Sequence, residues 1–111
     1  MVRISIVVQS NHLGTLAAAL PGKAGAAVRK AVADVEAQAK TRAPVDTGAL
    51  RNSIVGTMTG EAAGQVTAGV NYAPYVEYGT AHAPAQPFMI PAAEAVRPSF
   101  VAAVAKAVGS L

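Results

Sequence analysis

The sequence predicts an α+β chain: a long helix packed closely on a small antiparallel β-sheet, with a further helix at the C-terminus. Three observations carry that expectation. From Lys23 to Arg42 the chain is alanine-rich, and Val28, Val32, Val35 and Ala39 recur at helical spacing to form one apolar stripe. Residues 54–59 and 65–70 read as the two strands of a hairpin around a turn at residues 60–64. Pro91 suits the first turn of a terminal helix in which Val101, Val104 and Val108 supply an apolar face, with Phe100 and Leu111 beside it.

The remaining elements follow in chain order. Residues 3–9 are β-branched and partly alternating, with Ile4 and Ile6 facing one way and Arg3 and Ser5 the other, as in a strand suited to a sheet edge. Ser10 or Asn11 can cap a short helical stretch reaching Leu20, and Pro21-Gly22 then punctuates the chain. Within the long helix, Glu36 precedes Lys40 by four residues, the favourable order for an ion pair. Lys40 and Arg42 lie where the helix dipole favours cations. Valine and alanine form a slim stripe, better matched to a sheet than to a bulky bundle core. Pro44 ends the helix by pushing Ala43 out of helical conformation. In the next turn Asp46 or Thr47 can cap, and Gly48 permits backbone conformations that other residues resist. Residues 80–87 read as a loop holding His82, and Pro98 either kinks the last helix or restarts it as two pieces. No internal repeat is visible.

Size and composition narrow the function. The 111 residues fit one domain, 1–111. A chain this short buries only about two thirds of the surface its unfolded form exposes. Cysteine is absent, so neither disulfides nor a thiolate metal site can add stability, whereas an intermolecular interface can. Nine basic and six acidic residues leave a formal charge of +3. The bases are scattered rather than gathered on one helix, unlike the footprint of a nucleic-acid-binding domain. The opening MVRISIVVQS turns polar too early for a signal peptide, and no stretch is apolar enough to span a membrane. The expectation is a protein made in the cytoplasm.

No catalytic constellation stands out. There is no phosphate-binding glycine loop, no cysteine nucleophile and no His-Glu-x-x-His pair. His12 and His82 are isolated and read as ordinary hydrogen-bonding residues. An acid/base pair from Asp46 and Glu77 would need a long-range approach; local capping by Asp46 and an exposed or interface hydrogen bond from Glu77 is the plainer reading. No enzyme, metal or cofactor is therefore expected. Tyr72, Tyr75 and Tyr78 recur every third residue, which aligns them roughly on one helical face. In an extended strand Tyr72 and Tyr78 would share a face and Tyr75 would point the other way. Core, subunit interface and base stacking all remain open for them, since tyrosine combines a large ring with a hydroxyl that tolerates water.

Three ordered segments resemble a known family. The first is Ala43-Pro44-Val45-Asp46-Thr47-Gly48-Ala49-Leu50-Arg51-Asn52-Ser53-Ile54, the second Tyr72-Ala73-Pro74-Tyr75-Val76-Glu77-Tyr78-Gly79-Thr80, and the third Gln86-Pro87-Phe88-Met89-Ile90-Pro91-Ala92. Together, with a hairpin between the first two, they are similar to the tail-completion or head–tail connector (neck) proteins of long-tailed bacteriophages, including minor tail proteins of the lambda Z type. The likeness runs over roughly residues 25–105, and residues 81–85 fall where such proteins vary.

The resemblance implies an α+β virion protein at the head–tail junction or the head-proximal end of the tail. It also implies a homo-oligomeric ring, sixfold by analogy with the tail, with neighbouring neck or tail proteins as partners and no cofactor. Under that reading Tyr72, Tyr75, Glu77, Tyr78 and Phe88 are candidate subunit-interface residues. Pro44, Asp46, Thr47 and Gly48 form a structural turn, and Arg42 and Arg51 are candidates to face DNA in the channel. The alternative is a small nucleic-acid-binding or regulatory module, which would show a basic patch and salt-sensitive DNA binding.

Overall fold

The computed structural model describes residues 3–8, 13–44 and 48–109. Its elements are β1 (Ile4–Val8), α1 (Leu13–Ala19), α2 (Pro21–Arg42), α3 (Ala49–Asn52), β2 (Ile54–Gly60), β3 (Ala63–Ala68), α4 (Ala73–Tyr78) and α5 (Met89–Gly109). The fold is α+β, as the patterning predicts.

The three strands pair antiparallel in the order β1-β3-β2, so the first strand docks on the far side of the hairpin. Ile4 and Val55 stand opposite Ala68 and Thr67, respectively, on the two flanks of β3. Both outer strands are sheet edges, which suits the short alternating β1. The hairpin is tighter than its sequence suggests, because Ala63 and Gly64 lie in β3 rather than in the turn, and the strand ends at Ala68. Gly64 belongs there for a packing reason. A Cβ on Gly64 would lie 2.6 Å from Val32 Cγ2, and one on Gly56 would lie 2.6 Å from Val32 Cγ1. The two glycines leave the space that Val32 fills, so α2 approaches the hairpin more closely than two side chains would allow.

The helices cover one face of the sheet. α2 lies over β2 and β3, α5 reaches β1, and the two long helices pack against each other. Val28, Val32, Val35 and Ala39 are all buried, as their spacing predicts. The helix starts two residues earlier than Lys23: Pro21 occupies its first turn, where a missing N–H does no harm. Its end is as expected, with Ala43 extended at φ −64°, ψ 132° immediately before Pro44. Glu36 does more than pair with Lys40 at 3.6 Å, since its other oxygen accepts the N–H of Gly56 in β2. That bond ties the helix to the sheet in a way an exposed ion pair does not.

α5 runs unbroken from Met89 to Gly109 with Pro98 inside it. Pro98 and Glu94, whose carbonyl loses its helical donor, are both exposed, so water can meet the freed group. The buried stripe of this helix is Ala92, Val96, Phe100 and Val104, spaced by four. Val101 is a correction: assigned to the apolar face with Val104, it is exposed, because Phe100 occupies the core position beside it. Ser10, Asn11, His12, Asp46, Thr47 and Leu111 lie outside the described residues.

Candidate functional site

The tyrosine-rich segment resolves into α4, a short helix that follows β3 after a turn. Tyr72 stands at its N-cap, a proline lies in its first turn, and Gly79 ends it with φ +79°. Of the two geometries open to the tyrosines, the helical one holds. Ala73 and Glu77, four residues apart, form the buried side of α4. The tyrosines project away from it, with Tyr72, Tyr75 and Tyr78 exposed to 41%, 58% and 66%. That exposure removes the core reading, and the largest fully buried side chains are Phe88, Leu16, Ile54 and Met89 instead.

Glu77 is the anchor of this region. It is 2% exposed, and its carboxylate faces the start of α5. Oε1 accepts the N–H groups of Phe88 at 3.1 Å and Met89 at 2.8 Å, and Oε2 accepts that of Ile90 at 3.2 Å. The first turn of any helix has N–H groups without helical partners, and a carboxylate there also complements the positive end of the dipole. Glu77 is thus a remote cap that fixes α4 against α5. The exposed or interface hydrogen bond expected of it is corrected to a buried one. Both of its oxygens hold backbone N–H groups, which leaves Glu77 no free oxygen for the acid/base role considered for it. Phe88, another interface candidate, is also fully buried. The two are joined, since the Phe88 N–H is one of the three that Glu77 holds.

The loop that joins α4 to α5 is held by its own bonds. Gln86 donates its N–H to the Val76 carbonyl at 2.8 Å, and Thr80 N–H bonds the Ala83 carbonyl at 2.9 Å. Thr80 Oγ1 accepts the N–H groups of His82 and Ala83 at 3.2 and 3.1 Å. Gly79 makes the fold-back possible, because a Cβ there would lie 2.7 Å from the backbone nitrogen of Ala85 as well as at positive φ. Gly79→Ala is expected to lower stability by about 2–3 kcal/mol, checked by urea unfolding with an unchanged slope.

The electrostatics set this surface apart. Between Arg51 and Glu94 the only formally charged residues are Glu61, at the hairpin turn, and the buried Glu77. The outward side of the sheet, α4 and the loop therefore show almost no charge, while Lys30, Asp34, Lys40 and Arg42 lie on α2. Arg42 and Arg51, the candidates for facing DNA, are both exposed, and Pro44 and Gly48 lie between α2 and α3. Among the described residues no group of three or more histidine, aspartate and glutamate side chains could hold a metal ion. No helix among them is long and apolar enough to cross a membrane.

Fold and surface together define an α+β protein that exposes a charge-poor, tyrosine-bearing face on a short helix tied to α5 by Glu77. The family model described as "Bacteriophage HK97-gp10, putative tail-component" matches residues 10–79, and the chain belongs to that family of phage tail components. The match takes in the first resembling segment and the second as far as Gly79; the third, at the start of α5, lies beyond it. No curated protein and no solved structure matches the chain.

Glu77 could have been recognised from the sequence by a joint signal. The residues just before Met89 are Ala85, Gln86, Pro87 and Phe88, none of the preferred N-cap types. A long helix without a local cap needs an acceptor from elsewhere, and Glu77 is the only acidic residue between Glu61 and Glu94.

Proposed function

We propose that this chain is a structural subunit of the head–tail junction, or of the head-proximal end of the tail, in a long-tailed phage. Copies join into a closed ring that completes or connects the tail, sixfold to match the tail's symmetry. The observation that carries the reading is the exposed tyrosine face of α4, set in a surface depleted of charge, on a member of a phage tail-component family. Charge depletion with aromatic enrichment is the compositional mark of an interface centre. A ring needs heterologous contacts, in which one patch of a subunit meets a different patch on the next. The tyrosines supply one side of such a contact. Arg42 and Arg51 face the DNA that passes through the channel, and neighbouring neck or tail proteins stack above and below. The subunit is made in the host cytoplasm and ends in the virion.

Native mass spectrometry with negative-stain imaging over a concentration series tests the assembly. Wild-type protein is expected to form rings, and Tyr75→Ala and Tyr78→Ala are each expected to weaken the subunit contact by about 2 kcal/mol, roughly thirtyfold in affinity. Both side chains are more than half exposed, so circular dichroism should show folded monomers. Rings that persist unchanged in the double variant would remove the tyrosines from the contact.

A further inference from the structure

The two edges of the sheet are not equivalent, and the difference points to a second contact. In an antiparallel pair, residues alternate between those that exchange backbone hydrogen bonds with the partner and those whose N–H and C=O point away. Gly69 N–H bonds the Ser53 carbonyl, which fixes the phase of the β2–β3 ladder. Counting by twos, Val55 and Thr57 bond β3, and Ile54, Gly56 and Met58 turn their backbone groups to the outer edge. That edge is closed in its middle, where the Glu36 carboxylate takes the Gly56 N–H, and it is irregular further on, where the register shifts between Met58 and Gly60. A bulge and a side chain laid on the edge are among the devices that prevent an added strand.

β1 carries neither device. The same alternation carried across β3 makes Ile4, Ile6 and Val8 the residues that bond β3, leaving the N–H and C=O of Ser5 and Val7 directed outward. Among the described residues no backbone group meets them. The strand is regular along its five residues, without proline or charge, and Val7 is 63% exposed. An uncharged, regular edge of this kind is a template for another strand.

We propose that β1 pairs with β1 of a second copy across a twofold axis, joining two three-stranded sheets into one of six. The strand is self-complementary. With Ile6 opposite Ile6 of the second copy, Ser5 stands opposite Val7, and those are the residues whose backbone groups are free. Four backbone hydrogen bonds form, two at each Ser5–Val7 pair. Ile4, Ile6 and Val8 stay on the helix-covered side in both copies, and no like charges meet. The β2 edge, closed by Glu36, does not offer the same docking, which favours an isologous contact over a head-to-tail one here. This contact is separate from the tyrosine face and stands without the ring.

The absence of cysteine makes the test clean. It is run in the full-length Tyr75→Ala/Tyr78→Ala background, where the contact proposed for the ring is removed, by sedimentation over a concentration series. The double variant is expected to reach a dimer. Val7→Pro, which removes an outward N–H while leaving the β3 ladder its donors, and Val7→Lys, which places charge at the contact, should each raise the dimer dissociation constant about tenfold or more. Should Val7→Pro unfold, Val7→Lys still decides, because that side chain is exposed. Under mild oxidation Ile6→Cys should cross-link far more than Ser5→Cys or Val7→Cys, since only residue 6 meets itself. A strict monomer at all concentrations, a dimer indifferent to both Val7 variants, or cross-linking equal at all three positions would overturn the proposal.

Discussion

Replacing Glu77 by alanine is expected to lower stability by about 3–5 kcal/mol, a fall of roughly 15–30 °C in the melting midpoint of a chain this size. The three N–H groups of Phe88, Met89 and Ile90 would lose their acceptor, the first two in a buried place and the third in a partly buried one. A buried donor without a partner costs about 1–3 kcal/mol, and a water admitted by the shortened side chain can recover only part of that. Glu77→Gln separates shape from charge. It keeps one accepting oxygen but turns an amide NH2 towards backbone N–H, so an intermediate loss of about 1–3 kcal/mol is expected. Calorimetry gives the ranking, and amide exchange gives its location: protection should fall first at Met89 and Ile90. If Glu77→Ala melts within a few degrees of the wild type, the carboxylate is not the anchor of α5.

Gly64→Ala and Gly56→Ala are expected to lower stability by about 1–3 kcal/mol each, although alanine usually improves on glycine in a strand. The reason is Val32. Its methyl groups would stand 2.6 Å from either new Cβ, and a valine in a helix has essentially one comfortable rotamer with which to respond. The cause can be isolated by a double-mutant cycle. Val32→Ala alone should destabilise by opening a cavity, yet Gly64→Ala combined with Val32→Ala should lose less than the sum, with a coupling of about 1–2 kcal/mol. Urea unfolding of the four proteins measures it. Strict additivity would mean that the glycines are there for backbone reasons and not for the close approach of α2.

Periodicity made the core of α2 legible, because one face of a helix on a sheet reads directly as Val28, Val32, Val35 and Ala39. The hairpin is legible for the same reason, but the glycines make its turn look wider than it is. Gly64 looks like a turn residue in sequence, and only the position of Val32 explains a glycine inside β3. On α5 the expected Val104 is buried and Val108 packs on the core, but Phe100 takes the buried place expected of Val101, since both are apolar and sequence does not say which one the core receives. At the candidate site, spacing left helix and strand open for the tyrosines. Burial was less legible. A glutamate between tyrosines reads as a surface residue until the helix it caps, starting twelve positions later at Met89, is in view. The edge character of β1 is legible in its sequence, but the sheet order is not, because nothing local in β1 says that it joins β3 rather than β2.

The claim that this tail-component family member is built into the particle at the head–tail junction meets its most direct test in purified virions. Quantitative mass spectrometry of mature particles, combined with antibody labelling viewed by electron microscopy, reports both copy number and position. The expected result is a small fixed number of copies, a multiple of six, with label at the neck or the head-proximal end of the tail. Recovery only from tailless or headless particles and never from mature virions would contradict the account.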